Sequence, residues 1–164
     1  MVTNFHELYQ TYAEDVYRFA YWLCGDAQDA EDITSETFVR ALTASGEIRA
    51  ETVKGYLLTI ARNLAYKRSQ REKRFVPLSA DLVERQAEPS QLAEQAMNLR
   101  DAVQFIQTLP EIDRTALVLR LQNELTYEEI SSILNISLAA AKVKVHRARM
   151  KLTEYMRHQE ELSQ

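Results

Sequence analysis

The chain of 164 residues has one cysteine, three glycines and three prolines. A lone Cys24 excludes an internal disulfide and any multi-cysteine zinc site, which fits a reducing compartment. So few glycines and prolines leave little material for the turns of an all-β fold. Long apolar runs are missing too. Arg18 and Arg62 interrupt the longest stretches, which fall short of the roughly 20 residues a membrane span needs. The opening MVTNFHELYQ has no basic stretch leading into an apolar one, so no secretory signal is expected. No phosphate-cradling glycine loop or nucleophile elbow occurs. His6, His146 and His158 are too scattered to complete a metal site with neighbouring acids. Cys24 lies in an apolar run without a basic neighbour in sequence and reads as a structural thiol. No catalytic residue, metal or cofactor is therefore expected. What is present is 46% hydrophobic residues, enough for a packed core. The expectation is an all-α cytoplasmic protein with no membrane insertion.

The formal net charge is −4, which taken whole argues against a nucleic-acid binder. The charge is segregated, however. Residues 1–43 hold eight acids and two bases, a net −6. Residues 44–75 hold eight bases and three acids, a net +5. Residues 138–157 hold six bases and one acid, again +5. Separate blocks of opposite sign point to more than one binding surface.

Phe5, Leu8, Tyr9, Tyr12, Val16, Phe19, Ala20 and Leu23 recur in steps of three and four, the spacing of a helix with one apolar face. Gly25 suits the left-handed residue after that helix, and Asp26 suits the cap of the next. The second stripe is Ala30, Ile33, Thr34, Thr37, Phe38, Ala41 and Leu42, with Asp29, Asp32, Glu36 and Arg40 on the other face. The acids read as an exposed face for a basic partner. Residues 43–50, with Ser45 and Gly46, read as a loop. A third stripe, Val53, Tyr56, Leu57, Ile60, Ala61 and Leu64, runs into the basic KRSQREKR. Its outward residues include Thr59, Arg62, Asn63, Tyr66 and Lys67. Cations interleaved with rings and amides suit single-stranded nucleic acid, where bases stack on aromatics. A core aromatic set beside a solubilising tail fits the same residues.

Residues 76–90 carry Pro77 and Pro89 with weak periodicity and read as a flexible linker. The expected organisation is two small helical domains, residues 1–75 and 91–164. Each is near the size at which burial only just offsets chain entropy, so packing between them or onto a partner is expected. The second starts with a helix over 91–108, then Pro110 at the first position of a helix over 111–122. Thr126 with Glu129 forms a capping-box pattern ahead of Tyr127, Ile130, Ile133 and Leu134. Asn135 suits the left-handed exit and Ser137 the next cap. The longer helix after it buries Leu138, Ala141, Val145, Ala148, Leu152 and Tyr155. A capped short helix, a three-residue turn and a long basic helix make a helix-turn-helix. Opposite the buried stripe lie Ala139, Val143, His146 and Met150, with Ala140 and Arg147 beside them. Lys142, Lys144, Arg149 and Lys151 flank the strip. That arrangement suits a DNA major groove, with base edges at the centre and phosphates at the sides. Five cations on phosphates imply a salt slope of about −4 to −5. In the free protein the acidic block is expected to pair with this basic helix. A helix-turn-helix regulator acting without polymerase, or a helical adaptor, fits the same pattern.

In order, FHELYQTYAEDVYRFAYWL, GDAQDAEDITSETFVRAL, GYLLTIARNLAYKR, TLPEIDRTALVLRL, LTYEEISSILNIS and AKVKVHRARMKL cover nearly the whole chain. Together they resemble the extracytoplasmic-function (ECF) sigma factors of bacterial RNA polymerase, with sigma regions two and four only. The resemblance implies that Asp29, Glu31, Asp32 and Glu36 dock on the β′ clamp helices. It implies that Tyr56, Arg62, Asn63, Tyr66 and Lys67, with Arg68 and Arg71 in the same basic stretch and the loop at 43–51, recognise and melt the minus-ten element. It also implies that Lys142, Val143, His146 and Arg147, flanked by Lys144, Arg149 and Lys151, read the minus-thirty-five element. Contact of the second domain with the β-flap, a linker threading toward the active-site cleft, and an anti-sigma factor partner follow from the same resemblance. Several positions depart from the family pattern: Ser35 stands for Gln, Tyr56 for Trp, Lys67 for Asp, Ala139-Ala140-Ala141 for Gly-Thr-Val, and Val143 for Ser. Val143 cannot hydrogen-bond a base but can pack on a thymine methyl.

Overall fold

The computed structural model describes residues 5–44, 52–74 and 91–163. The expected linker at 76–90 and most of the expected loop, residues 45–51, lie outside the described residues. Those residues form seven helices and no strand, in line with the all-α expectation. They are α1 (Phe5–Cys24), α2 (Ala27–Thr43), α3 (Val53–Arg74), α4 (Gln91–Gln107), α5 (Glu111–Leu121), α6 (Tyr127–Leu134) and α7 (Leu138–Leu162).

Local signals set the junctions. Gly25 takes φ +73° after α1, a conformation that costs a glycine nothing. The Asp26 carboxylate accepts the Asp29 N–H at 2.9 Å and caps α2. Pro110 lies one residue earlier than expected. Its ψ of 143° makes it the cap of α5 rather than the first helical residue. A proline side chain has no acceptor, and Glu111 and Asp113 supply negative charge in the first turn of α5 instead.

Helices α1, α2 and α3 pack on one another, and α5, α6 and α7 do likewise. The expected stripes enter the core: Val16, Phe19, Ile33, Phe38, Leu57, Ile130 and Val145 are all at most 1% exposed. Complete burial of one such large apolar side chain contributes roughly 1.5–3 kcal/mol. Thr34 and Thr37 are buried with them, and each hydroxyl donates to the carbonyl four residues earlier, so neither is orphaned. The stripes fray at their ends. Phe5, Leu42 and Leu138, expected inward, are exposed because they sit in the first or last turns of their helices, and Tyr9 is exposed although its ring meets Phe38 edge-on, centres 5.0 Å apart.

The two groups also touch. Helices α4 and α5 lie on α1, and α6 lies on α3, so one apolar cluster runs through both. Leu58, which lies off the single stripe expected for α3, belongs to this cluster. Leu57 faces one neighbour and Leu58 another, so adjacent residues are both fully buried.

Candidate docking and nucleic-acid interfaces

The α6–α7 corner is built from short-range hydrogen bonds. The Glu129 N–H donates to Thr126 Oγ1 at 3.2 Å, and the Thr126 N–H donates to Glu129 Oε2 at 2.9 Å, completing the capping box. Asn135 adopts φ 53°, ψ 49°, and the Ala140 N–H donates to Ser137 Oγ at 3.0 Å. The turn before α6 follows no such rule. Glu124 holds φ 56°, a left-handed conformation costly for a residue with a Cβ. The contacts around it span only a few residues. Leu125 is buried, its carbonyl accepts Arg120 Nη1 at 2.8 Å, and the Arg120 guanidinium stands 4.5 Å from the Tyr127 ring centre.

Ala141, Val145 and Ala148 bury one side of α7. Val143 and Met150 are 53% and 60% exposed on the other, with Lys142, His146, Arg147, Arg149 and Lys151 also exposed. Lys144 departs from the expected flanking row. Its Nζ turns back to Asp113 Oδ1 on α5 at 3.4 Å. Arg147 Nη1 lies 3.9 Å from the other Asp113 oxygen while the rest of the side chain stays open to solvent. The basic helix therefore pairs with a carboxylate of its own group. The acids of α2 pair elsewhere, so the expected salt bridging between the acidic block and the helix after Ser137 is replaced by local pairs.

On α2, Asp29 and Asp32 both face Arg68 of α3, at 2.9 and 3.6 Å. Gln28 donates to Asp32 as well, and Glu36 pairs with Arg40 at 2.9 Å. Glu31 is exposed on the same outer side as Val39 and Leu42, two large apolar residues that α3 does not cover. The outer face of α2 thus combines carboxylates with apolar surface, the composition of a protein-docking patch.

On α3, Asn63, Tyr66, Lys67 and Arg71 are exposed and Tyr56 is half-buried. Arg62 lies between the two groups. Its Nη1 donates to Asn63 Oδ1 at 3.3 Å, its guanidinium sits 5.6 Å from the Tyr66 ring centre, and its Nε lies 3.7 Å from Glu111 of α5. That Nε is buried and has no hydrogen-bond partner. Arg68 is held by the α2 acids. The sequence-expected cations of α3 therefore divide into engaged ones, Arg62 and Arg68, and open ones, Lys67 and Arg71.

Sequence reasoning missed the residues that join the groups. Arg114 of α5 donates to the carbonyls of Ile106, Gln107 and Leu109 in its own group and, at 3.2 Å, to Leu23 at the end of α1. Gln107 Nε2 donates to the Trp22 carbonyl at 2.7 Å. Helix α1 has no basic residue in its last turn, so its terminal carbonyls find donors on the other group. Burial lowers the pKa of Arg114, and nearby Glu111 and Cys24 raise it. Cys24 lines a cavity of about 50 Å³ here, together with Asp29, Arg68, Glu72 and Arg114. Its thiol is pushed up to about 12, first by burial and then by Asp29 and Glu72, against the opposing pull of Arg68 and Arg114. Basic neighbours absent from the local sequence are thus present in space, yet the thiol stays protonated and unreactive.

Residues 8–75 match the family model of sigma-70 region 2, and residues 99–152 match that of sigma-70, region 4. The chain is 32% identical to the ECF RNA polymerase sigma factor SigE of Mycolicibacterium smegmatis, over 98% of this chain and 65% of that protein. It is 34% identical to the ECF RNA polymerase sigma factor SigM of Bacillus subtilis, over 89% of this chain and 91% of that protein. The chain thus spans just under two thirds of the first relative's length and most of the second's. In fold it is similar to the sigma factor RpoE of Bartonella quintana, solved in complex with the anti-sigma factor NepR. The TM-score is 0.75 at 24% identity, over 95% of this chain and 98% of that one.

Proposed function

The chain belongs to the extracytoplasmic-function sigma factors of the sigma-70 family, and we propose that it brings core RNA polymerase to promoters through three separate faces. It is an alternative sigma factor directing promoter-specific initiation. Residues 1–75 act as the polymerase-docking and minus-ten domain, 76–90 as linker, and 91–164 as the minus-thirty-five domain. The observation that carries this reading is the α6–α7 unit. Both its helices are capped, one side of α7 is buried, and the opposite strip presents Lys142, Val143, His146, Arg147, Arg149 and Lys151. A regulator acting without polymerase is not favoured, because it has no need of the matched region 2.

The outer face of α2, with Glu31, Asp32 and Glu36 beside exposed Val39 and Leu42, docks on the β′ clamp helices. Asp29 supports it from the inner edge through Arg68. The α3 face, with Tyr56, Arg62, Asn63, Tyr66, Lys67, Arg68 and Arg71, takes the minus-ten strand. Tyr66 offers a stacking surface, and capture of a flipped base offsets the few kcal/mol of unstacking. Helix α7 enters the major groove of the minus-thirty-five element. The second domain also contacts the β-flap. Two modest DNA contacts on one polymerase gain from effective concentration. The protein works by binding as a regulatory subunit, in the cytoplasm, with an anti-sigma factor as a further partner. Among the described residues no helix is long and apolar enough to cross a membrane.

Runoff transcription with purified core polymerase tests the reading. Initiation at a subset of genomic promoters is expected, and none at any promoter would overturn it. Reversing Asp32 and Glu36 to Lys places like charge against a basic partner and also beside Arg68 and Arg40. Core affinity is expected to fall on the order of 100-fold, from roughly 3 kcal/mol of repulsion. A melting curve on the same variant must show the fold intact.

A further inference from the structure

Asp113 sits in the first turn of α5, is 3% exposed, and belongs to neither the docking face nor the DNA faces assigned above. A buried carboxylate is costly unless partnered. Its partners are Lys144 Nζ at 3.4 Å and Arg147 Nη1 at 3.9 Å. Both come from the helix assigned to the promoter, one turn apart on the same flank of α7. Lys144 is drawn in until about a quarter of its side chain remains exposed, whereas Arg147 keeps 56%. One oxygen therefore holds the lysine at hydrogen-bond distance, and the other lies at ion-pair distance from the guanidinium, more than half of whose side chain stays exposed.

We propose that Asp113 is a positioning residue for promoter reading, holding Lys144 off the phosphates and fixing the direction in which Arg147 leaves α7. This rests on the assignment of α7 to the minus-thirty-five element. An arginine free to sample its rotamers must be ordered when it meets a base edge, whereas one already held loses less freedom on binding. Reading of a guanine edge by two parallel hydrogen bonds tolerates little angular error. Asp113 spends one potential phosphate contact, Lys144, on selectivity. Its removal has a signature that simple misfolding lacks. Freed Lys144 gains a phosphate, so general DNA affinity rises with a steeper salt dependence, while sequence discrimination falls.

Holoenzyme assembled from core RNA polymerase and each variant is allowed to select from a pool of duplexes randomised in the upstream element, at several salt concentrations. Wild type is expected to enrich one motif over its single-base neighbours. Asp113→Asn keeps the shape and removes the charge. It is expected to lower that enrichment ratio about tenfold, with binding to the unselected pool unchanged or tighter and its salt slope steeper by up to ~0.9. Asp113→Glu is expected to restore much of the ratio. Arg147→Ala is expected to cost about tenfold in the wild-type background and less than twofold beside Asp113→Asn. If Asp113→Asn alone does not fold, Asp113→Asn with Lys144→Met removes both charges together and is compared with Lys144→Met, with the same tenfold loss expected. A folded Asp113→Asn protein with a ratio within twofold of wild type overturns the proposal, as does an Arg147→Ala cost equal in both backgrounds. If Arg147→Ala and Lys144→Ala leave the wild-type motif unaltered, the DNA reading of α7 itself is overturned.

Discussion

The two basic blocks carry the same net charge in sequence, +5 each, yet the structure uses them differently. On α3 the cations are committed across elements. Arg68 serves the acids of α2, and Arg62 reaches Glu111 of α5. On α7 the engaged cations, Lys144 and Arg147, are tied to one buried carboxylate of a helix they already pack against. Lys142, Arg149 and Lys151 remain open. A segment's charge therefore says how much potential it carries and nothing about which charges are available. Availability depends on which acids the fold brings within reach. Through Arg68, the faces proposed for polymerase docking and for the minus-ten strand share a residue, whereas the face proposed for the minus-thirty-five element pairs within its own group.

The contrast is broken most severely at the contact between the groups. Arg114→Ala removes the donor to Leu23 and to three carbonyls at the α4–α5 corner. Partly buried, charge-assisted bonds of this kind leave orphaned acceptors when lost, so a destabilisation of about 2–4 kcal/mol is expected by urea or thermal unfolding. A loss below about 1 kcal/mol would show that the groups hold together without it.

A smaller effect separates the two basic helices. Replacing Lys142, Arg149 and Lys151 together by Ala is expected to flatten the salt dependence of promoter binding by roughly 2.7, at about 0.9 per phosphate. The matching change on α3, Lys67 and Arg71 to Ala, should remove only about 1.4, because single strands count for about 0.7 each. Titration of holoenzyme binding against salt reads both. Equal slopes in all variants would deny phosphate contacts to either helix.

The smallest effect concerns Cys24, at the seam between the groups. Its folded pKa is raised from 9.0 to about 12, so the folded thiol keeps its proton where the unfolded one loses it. Above pH ~9 the unfolded state binds fewer protons, and stability falls as pH rises toward the folded value. Cys24→Ser is expected to show a shallower loss of melting temperature between about pH 8 and pH 11 than wild type. Parallel curves for the two proteins would mean the seam does not shield the thiol.

Much of the fold was legible because its signals are local. Caps at Asp26, Thr126 and Ser137, the left-handed Gly25 and Asn135, and stripes repeating every three or four residues all act within a turn or two of chain. The open cations of α7 and the acids of α2 were visible for the same reason, since helical spacing alone assigns their faces. Glu124 shows the limit. Nothing in its residue type announces a left-handed turn, and beside it lie the buried Leu125 and the Arg120 guanidinium bonded to the Leu125 carbonyl.

By itself, the sequence determined where the helices lie, the apolar face of α1, α2, α6 and α7 and one face of α3, and the order of motifs that marks the family. These follow from backbone geometry and hydrophobic spacing over a few residues. Only the tertiary structure decided which charges neutralise one another and which helix has two buried sides. Leu58 is fully buried off the expected stripe, and the last carbonyls of α1 are satisfied from Gln107 and Arg114, 85 and 91 residues away. Asp113 and Lys144, 31 residues apart, became a pair only once α5 lay against α7. Such contacts depend on relative positions in space, which no periodicity within a single helix encodes.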